Sequence, residues 1–152
     1  MNFKNLNNIG GWLVFAVSLV TYTLTVEPTA SFWDCGEFIA CSYKLQVPHP
    51  AGAPFFLLLG RIASMFAGAD VTKVAFMVNM VSVLASAFTI LFMFWTITLL
   101  GRKIVGQTAE TINSENSIKV LGAALVGSLV YTFSESFWFS AVEAEVYGLS
   151  SF

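Results

Sequence analysis

Long apolar stretches separated by short polar ones set the rhythm of this chain. Ile9 to Val26 carries no charge, with Lys4 ahead of it and Glu27-Pro28 behind. Val74 to Leu100 is the most apolar run and is closed by Arg102-Lys103. Ile118 to Phe139 opens with Lys119 and ends in Phe133, Phe137, Trp138 and Phe139, an aromatic belt of the kind found at membrane interfaces. A helix crosses a bilayer with about 20 mostly apolar residues. The pattern therefore predicts three spans, at residues 9–26, 74–100 and 118–139. At about 1.5 Å per residue the second would be roughly 40 Å long, so it should tilt or protrude. A cleaved signal peptide competes for the first stretch. Its uncharged run exceeds an h-region of about 7–15 residues and no A-x-A site follows, which favours a retained span.

Phe55 to Ala67 is apolar but short, with Arg61 at its centre, prolines before it and Gly68 and Asp70 after it. A central arginine costs about 2.5–3.5 kcal/mol on insertion scales. An interfacial helix over 54–67 fits better than a span, and a second is expected over 34–46. Residues 101–117 read as a polar, turn-rich loop. A fourth helix should start over 141–152, where the chain reads as the N-terminal part of a longer protein.

Composition sharpens the class. Hydrophobic residues make up 57% of 152 and charged residues 11%, against about 25% charged in soluble proteins; mean hydropathy is +0.76. This excludes a free soluble domain and a disordered tail. Seven Lys and Arg against nine Asp and Glu leave no basic stripe, so no nucleic-acid partner is expected. The fold class is all-α, a polytopic integral membrane protein. With three spans, Lys4, Arg102, Lys103 and Lys119 share one side, which the positive-inside rule makes cytoplasmic. The N-terminus is then cytoplasmic in a cytoplasmic (inner) membrane. Residues 27–73 and 135–147, with their juxtamembrane helices, face the periplasmic or outer side.

The chemistry gathers on that outer side. Asp34 and Glu37 are three apart and share a face if helical. They can bind a divalent cation, or one can act as base; they also fit a capping box, as does Ser31 with Asp34. Cys35 and Cys41 lie about 240° apart round a helix, so free thiols are expected. His49 lies among prolines before a helix N-terminus, a place that attracts anions, or it is a turn residue. Arg61 could add positive charge there, or simply snorkel. Glu143 and Glu145 would point about 200° apart on a helix, so one alone could face a site; both could equally be solvated at a helix start.

Three motifs, Trp33-Asp34-Cys35-Gly36-Glu37-Phe38, His49-Pro50-Ala51-Gly52-Ala53-Pro54 and Ala144-Glu145-Val146-Tyr147-Gly148-Leu149, resemble the domain-of-unknown-function 2723 family over residues 12–152. That family is similar to plexin-type protein O-mannosyltransferases, class C membrane glycosyltransferases. The resemblance implies transfer of a sugar from a polyprenyl-phosphate-linked donor to a protein acceptor, with inversion. Asp34 would be the catalytic carboxylate, supported by Glu37 and completed by Glu145. His49 and Arg61 would hold the lipid phosphate, with Glu143, Tyr147 and Trp33 as secondary candidates. No metal is firmly implied; a divalent cation would fall to Asp34 and Glu37. A transporter would concentrate its polar residues and broken helices near the midplane, and the uncharged, proline-free 74–100 run argues against that. A non-enzymatic assembly or scaffold subunit is the other alternative.

Overall fold

The computed structural model describes residues 2–50 and 52–152; Met1 and Ala51, the latter within the second motif, lie outside the described residues. Every regular element among the described residues is helical. Helix α1 spans Phe3–Thr25, with the Asn2 side chain accepting from the Lys4 N–H at its start. Helices α2 (Cys35–Lys44) and α3 (Pro54–Met65) follow, slightly shorter than expected. Leu45 ends α2 in a left-handed conformation. Pro54 opens α3, where its fixed φ suits the first helical position. A single 3-10 turn, Val71–Lys73, leads into α4, Val74–Ile104. Arg102 and Lys103 fall in the last turn of α4, where cations oppose the helix dipole.

The third apolar stretch departs from expectation. It is α5 (Ser114–Thr132) and α6 (Glu135–Ala141), bent by 66° at the break between them. Ser134 leaves the helix in an extended conformation, and its hydroxyl donates to the Tyr131 carbonyl at 2.8 Å. Beyond the break, the Trp138 indole N–H donates to Thr25 Oγ1 at 2.9 Å, laying α6 over the end of α1. The expected fourth helix is shortened to α7, Val146–Ser150. By length and composition α1 and α4 can each cross a membrane, and α5 with α6 makes a third crossing if the bent pair is one span.

Helix α4 is the spine against which α1, α3, α5 and α7 pack. Val14, Tyr22, Val83, Ile90, Phe94 and Ala124 form one buried cluster. Cys35, Phe38, Phe56, Leu57 and Val78 form another, under α2 and α3. Small residues permit the close approach, as they do between membrane helices. A Cβ on Gly10 would lie 2.6 Å from the Phe94 ring, and one on Gly11 2.5 Å from the Trp95 indole nitrogen.

The two ends of the bundle differ in character. At one, Lys4 Nζ meets Glu110 Oε1 at 3.0 Å and the Arg102 guanidinium lies 5.5 Å over the Phe3 ring. At the other, the Glu27 N–H donates to the Val142 carbonyl at 2.9 Å. There the buried Asn79 amide donates to the carbonyls of Glu27 (2.6 Å) and Thr29 (3.1 Å). These bonds join the segment after α1, the start of α4 and the turn after α6, and that junction holds the chemistry.

Candidate active site

Trp33 sits just before α2 with φ of 61°, a left-handed conformation uncommon for a bulky residue. It delivers Asp34 to the N-cap position of α2, with helical angles and no side-chain capping bond. The capping-box reading therefore gives way on both sides. Glu37 does not reach back to the helix start. It accepts from the His49 backbone N–H at 2.8 Å and lies 2.8 Å from His49 Nδ1. Ser31 does not cap either; its hydroxyl donates to the Glu143 carboxylate. With His49 gripped at two points, its Nε2 faces Asp34 Oδ2 at 3.9 Å. The side-chain bond to Glu37 raises the His49 pKa above its ordinary value, and the same bond holds Glu37 below the usual carboxylate range.

Asp34 also opens onto a cavity of about 290 Å³, lined by Trp33, Phe139, Ser140, Glu143, Glu145 and Tyr147. The helical geometry expected of Glu143 and Glu145 does not apply. Both lie in the turn between α6 and α7, where the Glu145 N–H donates to the Glu143 carbonyl at 2.8 Å. A turn frees them from the 200° separation, and both line the cavity. Neither is solvated at a helix start: they are 4% and 9% exposed. Burial pushes both carboxyls up, and for Glu145 the neighbouring charges of Glu143 and Asp34 add to it.

Helix α7 is held in place by close backbone packing. A Cβ on Gly148 would come 3.0 Å from Ser86 Oγ and 3.1 Å from the Ser140 carbonyl oxygen. Ser82 Oγ donates to the Glu145 carbonyl at 3.3 Å. This docking sets Glu145 and Tyr147 on the cavity wall, with Tyr147 exposed at the rim.

Arg61 is not brought to this cluster. Its Nη1 donates to the Tyr43 carbonyl at 2.6 Å, and the guanidinium lies 5.7 Å from the Tyr43 ring centroid. Tyr43 is nine residues beyond Asp34 along α2, about 13 Å at the helical rise. Cys35 and Cys41 are free, as their angular separation predicted, and the structure buries both. Residues that the sequence reading passed over are Asn79 and Ser140, and Ser31 was read only as a helix cap. Asn79 was legible in one respect, as the lone side-chain amide inside the apolar 74–100 run; an amide buried there needs partners.

A family model described as the protein O-mannosyl-transferase TMEM260 N-terminal domain matches residues 34–152. The chain belongs to the TMEM260 N-terminal domain family. The match starts at Asp34 and takes in Glu37, His49, Glu143, Glu145 and Tyr147, while Trp33 and α1 precede it. A Dictyostelium discoideum relative named protein O-mannosyl-transferase tmem260 is 24% identical over 139 residues, covering 91% of this chain and 15% of the relative. A Mus musculus relative named protein O-mannosyl-transferase TMEM260 is 27% identical over 143 residues, covering 93% of this chain and 18% of the relative. The chain thus spans under a fifth of the length of these relatives. No solved structure matches it.

Proposed function

We propose that this chain builds the acidic half of the active site of a membrane O-mannosyltransferase. The enzyme is of the class C type and moves mannose from a polyprenyl-phosphate donor to a hydroxyl of a protein acceptor. The observation that carries the reading is the placement of Asp34, released from capping, on one cavity with Glu143 and Glu145. Membership of a family whose relatives are named protein O-mannosyl-transferases supports the sugar and the acceptor class.

In this mechanism the acceptor oxygen attacks the anomeric carbon while Asp34 takes the hydroxyl proton. The bond from that carbon to the lipid phosphate breaks on the opposite face, so configuration inverts. The phosphate leaves with the bonding electron pair. Glu145, raised by burial, lies across the cavity as a second carboxylate that orients the acceptor. Glu37 acts through His49, holding its imidazole by two hydrogen bonds so that the ring can donate toward the departing phosphate. Trp33 and Tyr147 supply the aromatic edges of the cavity. The site lies on the outer side of the membrane, with the N-terminus on the cytoplasmic side, as the Arg102, Lys103 and Lys119 cluster favours.

Asp34→Asn tests the reading, because asparagine preserves size and removes the base. Sugar transfer by the folded, membrane-inserted protein should drop by at least about 10², the low end of what general-base catalysis contributes. Normal transfer by Asp34→Asn would remove Asp34 from the chemistry and point to Glu145.

A further inference from the structure

Residues 26–34, between α1 and α2, lie outside any helix, so helical hydrogen bonds do not fix their course. The segment nevertheless holds Trp33 at a φ of 61°, and that residue is 87% exposed, so packing of the indole does not enforce the conformation. Unfavourable backbone persists only where its surroundings over-determine it. Here the surroundings converge on Asn79, in the second turn of α4 and fully buried. Its amide donates to the carbonyls of Glu27 at 2.6 Å and Thr29 at 3.1 Å, and its Oδ1 lies 3.8 Å from Cys35 Sγ. An asparagine side chain has two N–H donors and one acceptor oxygen. All of them are engaged by the chain on either side of Asp34. Glu27 extends the hold, because its own N–H donates to the carbonyl of Val142, the neighbour of Glu143. Burying an amide costs free energy unless its hydrogen bonds are made, so a leucine would serve a membrane helix better at this position. The use of the amide lies in what it holds.

We infer that Asn79 is a positioning residue for the acidic cavity. It anchors the segment that delivers Asp34 and, through Glu27 and Val142, the turn that carries Glu143 and Glu145. The separation of these carboxylates across the cavity is thereby set from α4. Asn79 does not itself line the cavity, so it acts through the residues it holds. A displacement of about 1 Å at a reacting group can cost about 10²-fold in rate. The consequence for catalysis rests on the transferase reading; the anchoring stands without it.

The test uses the full-length protein in nanodiscs and two readouts. The first is the rate at which N-ethylmaleimide alkylates Cys35, followed by peptide mass spectrometry. Cys35 is fully buried, so its reaction waits on local opening of the segment. Asn79→Leu should speed it at least about tenfold. The second is sugar transfer from polyprenyl-phosphate mannose to exported protein of the native cell, for Asn79→Leu, Asp34→Asn and the double variant. Asn79→Leu should lower kcat at least about tenfold while KM for the donor changes less than about threefold. In the Asp34→Asn background the same substitution should change transfer less than about threefold, since residues that act as a unit are not additive. A merely structural asparagine would lower transfer by the same factor in both backgrounds, and that result overturns the positioning role. Unchanged Cys35 alkylation in Asn79→Leu overturns the anchoring. Should Asn79→Leu not give a monodisperse protein, Asn79→Ser takes its place, because its hydroxyl turns back to its own helix and forfeits the same contacts. Absence of transfer by the unaltered protein, or normal transfer by Asp34→Asn, overturns the catalytic reading instead, and the alkylation rate alone then decides the anchoring.

Discussion

Glu143 is the residue at which burial and charge conflict most openly. Its carboxyl is 4% exposed, accepts from Ser31, and is raised above its ordinary pKa first by burial. A carboxyl raised in the folded state binds more protons there than in the unfolded chain. Its contribution to stability is therefore favourable at low pH and is lost as pH climbs from the ordinary carboxylate range through the raised value. Glu143→Gln keeps an acceptor for Ser31 and discards the buried charge. Thermal midpoints should show this variant as stable as the unaltered protein or more so at pH 7.5, with the advantage vanishing toward pH 4. A lower midpoint at pH 7.5 would mean that the charge itself is needed, held by something other than Ser31. Glu37 behaves differently because it is exposed and is held low by a hydrogen-bonded imidazole rather than raised by burial.

At the scale of elements, the site depends on two short helices that no long apolar run announces. Helix α6 is turned 66° from α5, and α7 is five residues long, so neither is stable by itself. They hold because α7 docks its Gly148 backbone against Ser86 of α4 and Ser140 of α6. Gly148→Val places a branched side chain where a Cβ already meets Ser86 Oγ at 3.0 Å and a backbone carbonyl at 3.1 Å. Overpacking of this kind costs about 1–3 kcal/mol, and the cheapest relief is displacement of α7, which carries Tyr147 and the adjoining Glu145. Helical content by circular dichroism should stay close to normal while sugar transfer falls at least about tenfold. Normal transfer by Gly148→Val would mean that the α7 docking does not set the position of Glu145.

At the scale of the whole molecule, the bundle has two chemically distinct ends. The Lys4–Glu110 ion pair places the start of α1 beside the 105–113 segment. The Glu27–Val142 and Asn79–Glu27 hydrogen bonds place the motif-bearing segments at the other end. In the proposed orientation, the charge pattern turns the first end toward the cytoplasm. In a background lacking Cys35 and Cys41, a cysteine introduced at Ala69 should react with an impermeant reagent in intact spheroplasts. One at Ser114 should react only after the membrane is opened. The reverse pattern would invert the orientation and put the proposed site on the cytoplasmic face. Helix α3 is predicted to lie along the outer interface, since 12 residues with a central Arg61 are too short and too polar to cross alone.

The apolar runs and the charges that bracket them were enough to read α1, α4 and the helical class, because long uninterrupted hydrophobicity leaves a chain in lipid few options besides helix. Proline placement foretold the start of α3, and angular spacing foretold the free thiols, both being consequences of local covalent geometry. The motif order also pointed to an O-mannosyltransferase-like family. What lay beyond the sequence was the use to which each polar group is put. Asp34 and Glu37 satisfy a capping pattern on paper, and only the arrival of His49 from twelve residues away draws Glu37 off the helix start. Glu143 and Glu145 seemed condemned to opposite faces, until the end of α6 at Ala141 left them in a turn where helical periodicity has no force. Arg61 looked like a phosphate ligand by its position in the chain, yet packing turned it to Tyr43. Local pattern decides which segments are helical; where a helix stops, and which carboxylates then share a cavity, is decided by contacts between residues distant in sequence.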